Sequence, residues 1–191
     1  MIILVATLLY VYATNLKQIP LLGNIIVALL LSISIVIIAL FDIFPATDLE
    51  NYSRMDRAFD ILIDYAIFAF IINLIREIVK DLEDMDGDYQ SGINTLPIAI
   101  GIQKTKILVG VLTVMSIVIL AYYLKTSLFE LDYTIYYALV FVFGPLVYFG
   151  AKLINATTKK EFHHLSTMLK IVLFFGILSI AVIVLNLKYA Q

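Results

Sequence analysis

Six apolar runs restrict what this chain can fold into more than any other feature of its sequence. Most are close to the roughly 20 residues that cross a bilayer. Backbone polar groups in hydrocarbon must be paired within the segment, so these runs predict helices although many residues are β-branched. We therefore predict an all-α, multi-pass transmembrane bundle with six spans, at residues 1–15, 19–43, 59–75, 107–124, 133–154 and 165–187.

The bulk composition agrees with a membrane protein and excludes several classes of function. The 191 residues are 62% hydrophobic and only 15% charged, with a mean hydropathy of +1.01. Without cysteines, neither a disulfide framework nor a thiolate metal site is available. The net charge is −2 and no basic arm is present, so we expect no nucleic-acid partner. We treat residues 1–191 as a single integral-membrane domain.

Lysine and arginine are unevenly distributed between the two sides of the predicted bundle. With six spans, the loops on one side carry eight of these residues and those on the other side carry four. Cytoplasmic loops are usually the more basic ones. The more basic side also holds an acidic stretch after the third span. We therefore predict that this stretch lies on the cytoplasmic face of the cell inner membrane.

The acidic stretch places four carboxylates on one stripe of a helix. Glu77, Asp81, Asp84 and Asp88 follow one another at spacings of 4, 3 and 4 residues. At 3.6 residues per turn, this spacing keeps all four on the same face. Carboxylate oxygens near a membrane surface favour a hard divalent cation, and Mg²⁺ usually binds together with substrate phosphates. The stretch predicts a magnesium and phosphate site.

Basic residues flank this stripe and decide between two interpretations of it. Arg76 and Lys80 lie one helical turn apart, where they could hold a phosphate directly. The alternative is a solvated, charged cap between two spans, in which Glu83 and Asp86 are simply exposed. The regular spacing, the two basic neighbours and the bends expected at Gly87, Gly92 and Pro97 favour a binding site.

The same stretch resembles a known family over about 26 residues. Residues 76–88 are Arg-Glu-Ile-Val-Lys-Asp-Leu-Glu-Asp-Met-Asp-Gly-Asp, residues 92–97 are Gly-Ile-Asn-Thr-Leu-Pro, and Gly101 follows. This order is similar to the second aspartate-rich motif of UbiA-type membrane prenyltransferases. The Arg-Glu-x-x-Lys-Asp opening most resembles the digeranylgeranylglyceryl phosphate synthase-like branch.

The resemblance implies Mg²⁺-dependent transfer of a prenyl group, such as geranylgeranyl, from a prenyl diphosphate. The implied acceptor is lipophilic, either a glycerol-phosphate lipid or a quinone precursor, and membrane lipid surrounds the site. By position, Asp81, Asp84 and Asp88 would be the catalytic, metal-binding residues. Arg76 and Lys80 would contact the diphosphate.

An earlier segment also resembles the family and adds two residues to the diphosphate site. It runs from Leu8 through Lys17 to Ala28, and relatives place a Tyr and a Lys near this turn in the active site. The resemblance therefore implies roles for Tyr12 and Lys17. The alternative for Tyr12 is an anchor at the membrane interface.

The chain departs from the family pattern at its beginning. The first aspartate motif of the family, Asn-Asp-x-x-Asp-x-x-x-Asp, does not occur in these 191 residues. The six predicted spans match the fourth to ninth of the nine family helices. We therefore expect an N-terminally truncated chain that is weak or inactive by itself unless a partner supplies the missing half. The alternative function is that of an inactive membrane-embedded homologue or subunit that binds lipid.

Other chemistry-bearing residues favour no separate site. His163 and His164 point about 100° apart on a helix, so we expect them at the membrane interface. Asp60 and Asp64 share a helix face near the outer end of the third span. A transporter is disfavoured because the charges cluster at one surface. The Asp-Gly-x-x-Ala-Arg opening of CDP-alcohol phosphotransferases is absent.

Overall fold

The computed structural model describes residues 19–48, 51–126 and 132–189, and its regular elements in these ranges are helices. Within these ranges seven α-helical segments follow one another, and short π-helical turns at Ala39–Ile43 and Leu139–Phe143 extend two of them. The segments are α1 (Leu22–Ile38), α2 (Tyr52–Gln90), α3 (Leu96–Ile100), α4 (Ile102–Thr126), α5 (Asp132–Ala138), α6 (Gly144–Asn155) and α7 (Lys159–Tyr189).

Five helices in the described part of the chain are long and apolar enough to cross a membrane. They are Leu22–Ile43, Met55–Gln90, Ile102–Thr126, Tyr133–Asn155 and Lys159–Asn186. The all-α fold class is therefore confirmed, together with the second to sixth predicted spans. The first predicted span, residues 1–15, lies outside the described residues.

The second of these helices is much longer than the apolar run that predicted it. The 39 residues of α2 measure about 58 Å at 1.5 Å per residue, whereas the hydrocarbon layer is about 30 Å thick. Its polar end therefore extends beyond the apolar run as helix, as far as Gln90. Arg76, Lys80 and the acidic stretch all lie on this extension.

The chain divides into two compact units, Met1–Glu77 and Ile78–Gln191, with the boundary inside α2. In the first unit, paired contacts organise the turn before α2. Asp48 and Asn51 each donate a backbone N–H to the other's side-chain oxygen, at 2.8 and 2.9 Å. This arrangement satisfies backbone donors where a helix begins. The prediction of a single domain over residues 1–191 stays a prediction.

The second unit is built around packed helices in which α4 contacts α6, α6 contacts α7, and α5 contacts α7. Its fully buried side chains include Leu146, Phe149, Leu165, Leu169 and Val172. Hydroxyl side chains are buried among them, and they donate to carbonyls of their own helix, as Thr113 does to Val109 at 2.7 Å. In lipid this satisfies polar groups and lets helices approach closely.

A π-helical turn precedes Gly144 and Pro145, inside the fifth predicted span. The turn covers Leu139–Phe143, and Pro145 lies in the first turn of α6. Proline has no N–H to donate to the previous turn, so the regular hydrogen-bond pattern must change there. The interruption divides this span into α5 and α6.

Candidate functional site

The acidic stretch is one continuous stretch of helix. Residues 76–88 all lie within α2, which ends at Gln90. Asp81, Asp84 and Asp88 therefore share one face, as their spacing predicted. Asp86 lies five residues after Asp81, which places it about 140° around the helix from that residue.

The helix ends in a Schellman motif centred on Gly92. The Ile93 N–H donates to the Asp88 carbonyl at 2.9 Å, and the Gly92 N–H donates to the Tyr89 carbonyl at 3.2 Å. Gly92 has a φ of +70°, a left-handed conformation that glycine adopts readily. The helix end predicted at Gly92 is confirmed. The bend predicted at Gly87 is wrong, because that residue lies inside the helix.

The loop after α2 leads directly into another short helix. Thr95 precedes α3, and Pro97 lies in its first turn, where the missing N–H of proline costs nothing. Gly101 ends α3 with a φ of +88°. Thr95 is buried, and its hydroxyl has no hydrogen-bond partner among the described residues. The Gly-x-x-Thr-Leu-Pro segment therefore forms a tight connection between α2 and α4.

Asp84 forms an exposed ion pair with a lysine on another helix. Lys159 Nζ, at the start of α7, lies 3.5 Å from Asp84 Oδ1. Asp81 and Asp88 are half-buried. Three carboxylates are suitable donors for a hard divalent cation. In the described part of the chain, however, no three His, Cys, Asp or Glu residues are grouped as one metal site.

That observation is compatible with Mg²⁺, which takes one or two protein carboxylates and completes its shell with water and phosphate. Asp84 supplies an oxygen whose present partner is a movable lysine. The donor types therefore fit the ion. The assignment of Asp81, Asp84 and Asp88 together to one ion stays a prediction.

The predicted diphosphate residues have different surroundings. Arg76 Nη1 lies 2.8 Å from Glu77 Oε1, so one carboxylate of the acidic stripe is paired with its neighbour. The Arg76 Nε atom is buried without a hydrogen-bond partner in the described residues. Lys80 is exposed. Tyr12 and Lys17 lie outside the described residues.

Glu83 has a role that its sequence position did not reveal. His163 Nδ1, on α7, lies 2.8 Å from Glu83 Oε1, and the Glu83 side chain is only 14% exposed. The expectation that Glu83 is a solvated residue is wrong, and His163 is held by a specific partner. His164 instead packs edge-on against Tyr148, with ring centroids 6.3 Å apart.

A capping box at the start of α7 is the sequence signal that marks where the helix carrying His163 begins. Thr158-Lys-Lys-Glu161 has the Thr-x-x-Glu pattern, which starts a helix six residues before the predicted apolar span. Glu161 Oε2 accepts from the backbone N–H of Thr158 at 2.8 Å. The first turns of α7 are therefore polar helix rather than loop.

Lys106 has structural partners at the end of another helix. Lys106, on α4, is 8% exposed, and its Nζ donates to the carbonyls of Ile154 and Ala156 at 2.9 and 2.7 Å. Lysine near a helix C-terminus satisfies unpaired carbonyls and interacts well with the helix dipole. Lys106 therefore joins α4 to the end of α6.

A groove of about 650 Å³ lies beside the end of α2, between that helix and α3. Its lining combines apolar and polar side chains, namely Met85, Asp86, Tyr89, Gln90, Pro97, Ile98, Gly101 and Ile102. None of the three stripe aspartates lines it. The groove and the aspartate stripe therefore use different faces of α2.

These features define a class of protein: a multi-pass helical membrane protein with an aspartate-bearing helix end outside its apolar spans. The chain matches the UbiA prenyltransferase family over residues 1–174. It belongs to that family. No solved structure gives a significant match.

The most similar curated relatives include three proteins named digeranylgeranylglyceryl phosphate synthase. The Pyrococcus horikoshii protein is 37% identical over 58% of this chain and 35% of its own length. The Methanosphaera stadtmanae protein is 28% identical over 94% of this chain and 60% of its own length. The Methanopyrus kandleri protein is 38% identical over 50% of this chain and 30% of its own length. The chain thus spans less than two thirds of these relatives.

Proposed function

We propose that this protein transfers a geranylgeranyl group from its diphosphate to a glycerol-phosphate lipid. The observation that carries the proposal is the continuous helix at the end of α2, which places Asp81, Asp84 and Asp88 on one face in a UbiA family chain. The name shared by the relatives describes a glyceryl phosphate that carries two geranylgeranyl groups. It supports a glycerol-phosphate acceptor over a quinone precursor.

The proposed reaction exchanges one C–O bond for another. The allylic C–O bond of the prenyl diphosphate breaks, and diphosphate leaves with the bonding electrons. The acceptor hydroxyl oxygen then bonds to the allylic carbon and loses its proton. Mg²⁺, when bound, would offset the negative charge that develops on the leaving diphosphate.

The residues of this chain would bind and orient the diphosphate. Asp81, Asp84 and Asp88 would hold Mg²⁺. The buried Nε–H of Arg76, which has no partner in the part of the chain that the structure describes, is a donor suited to a phosphate oxygen. Lys80 adds a positive charge one turn further along α2. The prenyl tail would lie among apolar helix faces, where water is excluded.

The proposed location is a cellular membrane with the aspartate stripe on the cytoplasmic side. Five helices among the described residues are long and apolar enough to cross a membrane, and together with the family membership they support an integral membrane protein. The excess of lysine and arginine on the side of the stripe supports the orientation. Diphosphate donors are water-soluble at their charged end, which suits a site at that surface.

The test is prenyl transfer by the purified chain in lipid nanodiscs. Labelled geranylgeranyl diphosphate and Mg²⁺ are supplied with either geranylgeranylglyceryl phosphate or an aromatic quinone precursor. We expect slow labelling of the glyceryl phosphate, because the first aspartate motif of the family does not occur in these 191 residues. Asp84→Ala should lower that rate at least about a hundredfold further. Asp86→Asn, on a different face of the same helix, should retain the parent rate.

Two outcomes would contradict the proposal. Transfer only to the aromatic compound would show that the acceptor is a quinone precursor. A folded chain that transfers to neither acceptor would favour the non-enzymatic alternative, a membrane-embedded subunit that binds lipid.

A further inference from the structure

The first two turns of α7 meet the acidic end of α2 at two points. Glu83 contacts His163 at 2.8 Å, and the next residue, Asp84, contacts Lys159 at 3.5 Å. Lys159 and His163 are four residues apart and therefore on the same face of α7. Two neighbouring carboxylates on one helix are thus paired with two cationic or hydrogen-bonding side chains on another.

The two contacts differ in strength. The Glu83 side chain is 14% exposed, and a carboxylate that has lost most of its water needs a hydrogen-bond partner. The 2.8 Å distance to His163 is that of a charge-assisted hydrogen bond. Asp84 and Lys159 are 42% and 71% exposed, and an exposed ion pair of this kind contributes little. The first contact can anchor the helices while the second exchanges partners.

The backbone at the start of α7 already has its acceptor. Glu161 Oε2 accepts from the N–H groups of Thr157 and Thr158 at 2.9 and 2.8 Å. These donors are therefore occupied by a side chain of the same helix. The Lys159 ammonium remains as the group through which this end of α7 could meet an anion beside Asp84.

We propose that Lys159 is a further diphosphate-contacting residue, and that Glu83 and His163 are positioning residues that hold it there. The proposal rests on the function proposed above. A divalent cation on Asp84 would compete with the Lys159 ammonium for the same carboxylate oxygen. The displaced ammonium, on a flexible four-carbon chain, would then be free to bind a phosphate oxygen of the arriving diphosphate. The Glu83–His163 contact would keep α7 in place during this exchange.

Binding measurements on the full chain test the role of Lys159 without requiring turnover. Mg²⁺ alone, and inorganic pyrophosphate with Mg²⁺, are titrated by calorimetry into the parent and into Lys159→Ala. We expect the variant to bind pyrophosphate about tenfold more weakly, since a charge-assisted contact is lost. Binding of Mg²⁺ alone should be unchanged or tighter, because a competing cation is gone. Lys160→Ala is the matched control and should behave like the parent.

Weaker pyrophosphate binding without weaker Mg²⁺ binding separates a diphosphate contact from a merely structural lysine, whose loss would weaken the binding of both ligands. Unchanged pyrophosphate binding in Lys159→Ala would overturn this inference alone. Failure of the parent chain to bind pyrophosphate in the presence of Mg²⁺ would overturn the proposed function and this inference together.

The positioning role of His163 is tested by rescue. His163→Ala should weaken magnesium-dependent pyrophosphate binding by about threefold to tenfold, because the Glu83 partner is lost. His163→Asn retains an N–H donor near the position of Nδ1 and should restore binding to within about twofold. His164→Ala, which removes the ring packed on Tyr148, is the control. Equal pyrophosphate binding in the alanine and asparagine variants would overturn the positioning role.

Discussion

The Lys106 ammonium donates to the Ala156 carbonyl at 2.7 Å, across fifty positions of sequence. It also reaches the Ile154 carbonyl at 2.9 Å. Both acceptors lie at the end of α6, where backbone carbonyls have no helical partner. The contact ties α4, which follows the α3 connection, to the segment that leads into α7.

Removing this lysine should destabilise the protein. Lys106→Ala leaves the buried Ala156 carbonyl and the part-buried Ile154 carbonyl with fewer donors, and we expect a loss of about 1–3 kcal/mol. The measurement is thermal unfolding in detergent, followed by circular dichroism. Lys104→Ala is the control, since Lys104 is exposed and on the same helix. Equal unfolding temperatures for both variants would contradict the capping role.

Two glycines of the acidic segment should respond to alanine with opposite signs. Gly92→Ala places a Cβ at a φ of +70°, which costs about 1–2 kcal/mol although the surrounding space is open. Gly87→Ala lies inside α2 with nothing within 4 Å of the new Cβ. It should stabilise the helix by about 0.5–1 kcal/mol. Thermal unfolding of both variants measures whether the unfolding temperature rises or falls. Stabilisation by Gly92→Ala would rule out the Schellman end.

The capping box of α7 gives a third prediction. Thr158→Ala removes a hydroxyl that accepts from the Glu161 N–H at 3.3 Å and donates to Glu161 Oε2 at 2.8 Å. We expect a loss of about 1 kcal/mol, measured by unfolding. Thr157→Ala retains the backbone donor, and its hydroxyl lies 3.5 Å from the same oxygen. This control should change stability less. A larger loss of stability in Thr157→Ala than in Thr158→Ala would contradict the capping box.

We expect binding of the prenyl diphosphate to depend on the shape of the Arg76 guanidinium as well as on its charge. Arg76→Lys retains the positive charge but removes the buried Nε–H, which has no partner in the described residues. If the proposed function holds, KM for the prenyl diphosphate should rise about tenfold, with a smaller change in kcat. Steady-state kinetics measures both parameters. Arg57→Lys, near the start of α2, is the control. An unchanged KM in Arg76→Lys would exclude a phosphate contact through Nε.

Much of the fold could be predicted because the lipid bilayer permits few backbone structures other than a helix. Five of the six predicted spans lie in the described residues and are confirmed as helices. The helical stripe of Asp81, Asp84 and Asp88 and the helix end at Gly92 were also predicted from local patterns. These features depend on period, length and backbone preference, which nearby residues determine.

The errors at Gly87 and Glu83 arose where local patterns compete with packing. A glycine inside an acidic run favours a bend, but neighbouring turns of α2 maintain the helix through Gly87. Glu83 is a charged residue of the kind that is usually exposed to solvent. It is nevertheless contacted by His163, which lies 80 positions later in the chain. Hydropathy alone could not place this contact, since it depends on where α7 begins.

The sequence by itself determined that this chain forms membrane-crossing helices, and that three aspartates share one face of a helix that continues beyond the apolar run. Both results follow from hydrocarbon length and helical period, which act over neighbouring residues. Only the tertiary structure decided that α7 brings Lys159 to Asp84 and His163 to Glu83, and that Lys106 caps α6. Those partners are distant in sequence, so their pairing depends on how whole helices pack.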